Sequence, residues 1–149
     1  MAATDFVDGR INLQIADFSF FNYTGSAIAA GVVVKVDTAH VLGASQYGVA
    51  ITPTTGITDT PLGITVQAFA AAAGSQGNVQ TVDGTAAWTT VDASGAITAG
   101  TQVMPSATAG TVKALALAAG NSCLGVAMST TASTSDPILI MLQKRGPAT

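Results

Sequence analysis

Glutamate is absent from this 149-residue chain, and charged residues of every kind make up only 9% of it. An ordinary soluble domain carries about 25%. With five Lys and Arg and a net charge of −3, the chain has no basic footprint for nucleic acid. So neutral a surface repels its own copies weakly, and self-association is expected. Aromatics are also scarce, at 5%, so the core should be thin and filled by Val, Ile, Leu and Ala.

The single cysteine, Cys123, excludes an internal disulfide. It stands in the apolar run Cys123-Leu124-Gly125-Val126 and reads as a small buried hydrophobe. His40 is the sole histidine, which leaves no His pair and no His/Cys cluster for zinc. A nucleophile–base pair would have to join Cys123, in a strand-like setting, to His40, in a loop. The acids are all Asp. Most sit beside turn residues, where Asp serves local hydrogen bonding and not the paired-carboxylate chemistry of glycoside hydrolysis. Neither a calcium loop nor a phosphate loop is present as a motif. No catalytic residue, metal ligand or cofactor is assigned, and a non-enzyme is expected. The longest apolar run, about Ala27 to Val34, is far short of the ~20 residues a membrane span needs. The start, Met-Ala-Ala-Thr-Asp, carries no signal-peptide pattern, so synthesis in a cytoplasm without export is expected.

What the chain does contain is repetition. Residues 27–34 read Ala-Ile-Ala-Ala-Gly-Val-Val-Val, and residues 96–103 read Ala-Ile-Thr-Ala-Gly-Thr-Gln-Val. Gly48–Thr65 aligns without a gap to Gly110–Ala127, setting Leu62-Gly63-Ile64 on Leu124-Gly125-Val126. Matched positions lie 69 residues apart at Ile28 and Ile97 but 62 apart at Leu62 and Leu124. The second copy is therefore trimmed in its loops. In the first motif Gly precedes a strand, where a positive φ is cheap. In the second it lies within one, which suggests a bulge or a close backbone crossing.

Short apolar runs separated by Gly, Asn, Asp, Ser and Pro signals predict strands near 32–36, 47–51, 63–69, 78–82, 101–104, 111–117, 124–128 and 138–142. Strands at that spacing predict an all-β fold, a small barrel or sandwich built from a duplicated unit. Residues 1–25 form a strand-forming N-terminal arm, with Ile11, Leu13 and Ile15 in alternation and five of the seven Phe and Tyr rings. Residues 26–149 form the β domain, with copies at about 27–82 and 96–142. The stretch Thr85–Thr90, with the only Trp, reads as an insert between them.

The phrases Ile97-Thr98-Ala99-Gly100-Thr101-Gln102-Val103, Ala107-Thr108-Ala109-Gly110-Thr111-Val112 and Leu124-Gly125-Val126-Ala127, with the closing run Ile138–Leu142, resemble the head decoration (cement) proteins of tailed bacteriophages. The resemblance spans about Ser26 to Leu142. It implies a non-enzymatic virion protein on the capsid exterior. Such a protein is a homotrimer that clamps neighbouring copies of the major capsid protein, with no nucleic acid, membrane or cofactor as partner. The candidate partner contacts are Phe18, Phe20, Phe21, Tyr23 and Trp88; the first four could equally pack a core, while aromatics also anchor interfaces. The alternative is another virion or cell-surface structural module, such as a fibre base, a tail component or a glycan-binding adhesive domain.

Overall fold

A computed structural model of the chain describes residues 6–7, 10–11, 19–40, 42, 48–92, 95–132 and 135–146. Among them all regular structure is β, in thirteen strands. β1 (Phe6–Val7) and β2 (Arg10–Ile11) form a two-stranded ladder of their own. The other eleven form two sheets. The first runs β7-β3-β5-β4-β6-β8, comprising β3 (Ser19–Asn22), β4 (Val33–Val36), β5 (Gly48–Pro53), β6 (Gly63–Thr65), β7 (Ser75–Gly77) and β8 (Val79–Gln80). The second runs β11-β10-β12-β13-β9, comprising β9 (Ala86–Thr90), β10 (Gln102–Pro105), β11 (Val112–Ala114), β12 (Cys123–Ala127) and β13 (Pro137–Arg145).

Both sheets close on themselves. In the first, the terminal strands β7 and β8 are one stretch of chain broken only at Asn78. In the second, a parallel bridge between Val91 and Val112 joins the β9 and β11 ends. The two have the same connectivity, the first nearly closed and the second joined end to end by that one bridge, so the fold is all-β and barrel-like, and each unit is called a ring below.

The register shows that the rings are one unit used twice. Val33 faces Ile64 and Val34 faces Gly63 in the first; Gln102 faces Val126 and Val103 faces Gly125 in the second. Gly31 N donates to Thr65 O at 2.7 Å, and Gly100 N donates to Ala127 O at 2.8 Å. Phe20 faces Gly77 as Thr89 faces Ile138. Two sequence expectations are corrected by these pairings. The block from Gly48 to Thr65 does not map without a gap: it would set Ile51 on Lys113, whereas Val36↔Ile51 corresponds to Pro105↔Val112. And Thr85–Thr90 is no insert, because β9 is the counterpart of β3. Both units thus start upstream of the Ala-Gly motif, and the boundary after residue 25 falls inside the first ring's strand complement.

Two of the glycines inside strands, Gly63 and Gly125, have the same cause. A Cβ on Gly63 would lie 2.1 Å from Gln80 O, and one on Gly125 would lie 2.2 Å from Met141 O. At the same point of each ring, backbone crosses backbone too closely for any side chain. The cores are filled in opposite ways. In the first ring Phe69 is buried, and a Cβ on Gly77 would strike its ring at 2.8 Å. In the second, Thr131 takes the place of Phe69 and Ile138 the place of Gly77, so bulk moves from one strand to its neighbour.

The rings pack side against side. Val33 and Ile64 on the outside of the first ring join the buried cluster of the second, with Ala87, Val103 and Leu124. The tip of the β10–β11 turn inserts into the first ring's ladder: Val33 N donates to Gly110 O at 2.8 Å, and Gly110 N donates to Thr54 O at 2.9 Å. Thr89 Oγ1 donates to Gly31 O at 2.7 Å. Lys144 also belongs to this junction, for its Nζ donates to Leu62 O at 3.0 Å and to Thr81 O. The contact is heterologous: the β9 side of one ring meets the β4–β6 side of the other.

Candidate interaction surface

The candidate contact residues separate into three environments. Phe18 lies outside the described residues. Phe20 and Phe21 alternate along β3 and both serve packing: Phe20 lies against the first ring's cluster of Ile28, Val34, Ile51 and Phe69, and Phe21 is buried. Phe21 pairs with Ala50, and its ring lies over Gly48, where a Cβ would lie 2.7 Å from it and closer still to Ser19 O.

Tyr23, just past β3, is half-buried and stacks on His40 with ring centroids 5.4 Å apart and planes 17° apart. His40 Nδ1 is 2.6 Å from Asp37 Oδ2, and Asp37 Oδ1 accepts Ala39 N at 3.0 Å. This cluster closes the start of the β4–β5 connection, which is longer than its β10–β11 counterpart. His40 and Cys123 belong to different rings. Cys123 is buried, and that burial pushes its thiol above the usual range. Among the described residues no three of His, Cys, Asp and Glu gather as metal ligands. No described helix is long and apolar enough to cross a membrane.

Trp88 is the residue turned outward. It is 56% exposed, while Ala87 and Thr89 on either side of it are buried. The pleat explains the arrangement: β9 alternates in burial, and its large residue falls on the outer face. Exposed Trp is costly in water, since its ring offers up to about 250 Å² of mostly apolar surface. Trp88, Val66, Thr90, Ala30 and Pro137 line an open cleft of about 420 Å³ at the junction of the rings. None of the described residues that line it is charged. Val66 in the cleft and Val82 outside it are also exposed. Of these, only Trp88 carries a signal in the sequence, as the lone Trp; Val66 looks there like part of a buried strand.

The first ring carries one ion pair of note. Lys35 Nζ lies 2.7 Å from Asp59 Oδ1, and Asp59 Oδ2 accepts Thr55 N and Gly56 N. Burial alone raises the Asp59 pKa, but the Lys35 hydrogen bond, the two backbone donors and the Lys35 charge together hold it below its ordinary value. In the second ring Met104 replaces Lys35, and its sulfur accepts Ala116 N at 3.4 Å.

No family model matches this sequence, and no curated protein matches it.

Proposed function

We propose that this chain is a structural virion protein that binds the exterior of an assembled phage capsid, as a homotrimer, and stabilises contacts between major capsid subunits. The observation that carries the reading is Trp88, held outward on a closed β ring beside an uncharged cleft. Aromatic anchors of this kind dominate protein interfaces when a partner covers them. The resemblance of the Ala-Gly and Leu-Gly phrases to head decoration proteins supports the capsid as that partner. The paired rings give a rigid body on which the anchor is positioned before binding, which limits the entropy lost on docking.

The test is co-sedimentation of the purified chain with expanded heads of the phage that encodes it, with head disruption followed by heating. Binding that raises the disruption temperature is expected, and Trp88→Ala should weaken it by about tenfold or more. Heads that never retain the chain defeat the reading. Retention by glycan arrays and not by heads would favour the adhesive alternative.

A further inference from the structure

The described hydrogen bonds between the rings fall at three places, and one of them can be cut without touching either core. Val33 N and Thr54 O hold the Gly110 peptide, which is main chain on both sides. Thr89 Oγ1 donates to Gly31 O, but Thr89 is buried. The third place is Lys144, half-buried near the end of β13. Its Nζ donates to Leu62 O at 3.0 Å and to Thr81 O, on the first ring's side of the junction. We propose that Lys144 is the latch that fixes the angle between the rings, and through it the width of the Trp88 cleft. It is a positioning residue for that surface. Its hold on the rings stands apart from the preceding reading; only its consequence for partner binding rests on that reading.

The site of the latch follows from the strand crossing. At Gly63 the chain passes so close to Gln80 O that a Cβ would lie 2.1 Å from it. Leu62 and Thr81 flank that crossing, and the carbonyls of both accept from Nζ. In the second ring the position of Thr81 is taken by Leu142, because Gln80 faces Ile64 as Met141 faces Val126. Leu142 O accepts Gly84 N at 2.7 Å, a donor from the link between the rings. The first ring's carbonyl receives its donor from the other ring instead.

Lys144 also grips the link itself. Residues 81–85 join β8 to β9. Lys144 Nζ takes Thr81 O, and Lys144 N donates to Asp83 Oδ1 at 3.2 Å. Leu142 N donates to Thr85 O at 2.8 Å and fastens the far end of the link to β13. Bonds from an ammonium to carbonyls are charge-assisted and stronger than neutral ones. The cleft lies across the same junction. Ala30, Gly31, Thr65 and Val66 of the first ring form one wall, and β9 with Pro137 forms the other. A change in the angle between the rings therefore opens or narrows the cleft with no change inside either ring.

The experiment is amide hydrogen exchange on the full chain, read residue by residue, for wild type, Lys144→Met and Lys144→Arg. Val33 N and Gly110 N report on the junction, because their acceptors lie across it. Thr65 N and Ala127 N, bonded to Val32 O and Thr101 O, report on the interior of each ring. In Lys144→Met, exchange at Val33 and Gly110 should quicken by about tenfold or more, since charged hydrogen bonds are lost from a local opening. Thr65 and Ala127 should keep their rates. Acrylamide quenching of Trp88, the sole Trp, should rise in parallel. Lys144→Arg keeps the charge and the donors and should restore both readouts. Should Lys144→Met fail to fold, Lys144→Gln is read in the same way. Junction amides that keep their wild-type rates overturn the proposal. So does equal quickening at all four amides, which would make Lys144 a general stabiliser. With phage heads, a loosened junction and undiminished retention overturn the part that concerns the partner. Heads that never retain wild type strike the preceding reading and leave the exchange result standing.

Discussion

The first ring and the second share a backbone register but almost no side-chain chemistry. At the crossing of strands both have glycine, Gly63 and Gly125, because a backbone oxygen occupies the space of a side chain. In the core they disagree: Phe69 with Gly77 in one, Thr131 with Ile138 in the other. On the rim they disagree again, with Lys35–Asp59 against Met104. Positions where backbone meets backbone are constrained absolutely. Positions where side chain meets side chain need only fill the volume together, and a pair can change in concert.

That contrast can be broken most severely at the core pair. Phe69→Thr should cost about 3–5 kcal/mol, since no neighbour can fill the void. Gly77→Ile alone should also destabilise, by driving its side chain into the Phe69 ring. Together they recreate the second ring's solution, so the double variant should be clearly more stable than the sum of the two losses. Urea unfolding of the four proteins gives the coupling energy, expected at about 1–3 kcal/mol. Strict additivity would mean that the two positions do not share one volume.

The next largest effect tests the shared constraint. Gly63→Ala and Gly125→Ala should each cost about 3 kcal/mol, because the obstacle is main chain and cannot rotate away. Near-equal losses, read from the same unfolding curves, are the expected outcome. A harmless alanine at either site would show that the crossing can relax there.

The smallest effect sharpens the difference at the rim. Asp59 has a lowered pKa in the folded chain, so its contribution is fully present above the ordinary value of 3.8 and is lost as pH falls through the depressed one. Lys35 and Asp59 are both partly exposed, so the pair itself contributes little; the two backbone hydrogen bonds matter more, at about 1 kcal/mol together. Asp59→Asn should lower stability at pH 6 by that amount and flatten the acid limb of the stability curve below about pH 4. Met104→Leu, at the matching place in the second ring, should leave that limb unchanged.

The sequence made most of the strands legible through Gly punctuation and short apolar runs, and it exposed the duplication through the Ala-Gly and Leu-Gly phrases. The misreadings have physical causes. β9 was hidden because Ala86-Ala87-Trp88-Thr89-Thr90 puts its bulky residue outside and small ones inside, which inverts the usual alternation. β7, Ser75-Gln76-Gly77, looks like a turn because Phe69, from another segment, supplies the volume its own side chains lack. Phe20 and Phe21 could not be sorted into core or docking roles, since adjacent strand residues face opposite ways and both faces of β3 are covered. Of the described candidate contacts, Trp88 is the most exposed. The match of Ile51 to Val112 was invisible because it requires the register, which a gap-free reading of the repeat misses by one residue.

Ring closure also bears on crowding. Open sheets held at high local concentration recruit one another along their unpaired edges, and strong surface charge is the usual defence. This chain is poor in charge, yet its first sheet runs round through β7 and β8, and a bridge from Val91 to Val112 joins the ends of the second. A closed ladder offers no template for a foreign strand. A body of this kind limits edge-to-edge recruitment by its topology, where its composition supplies little charge to do so.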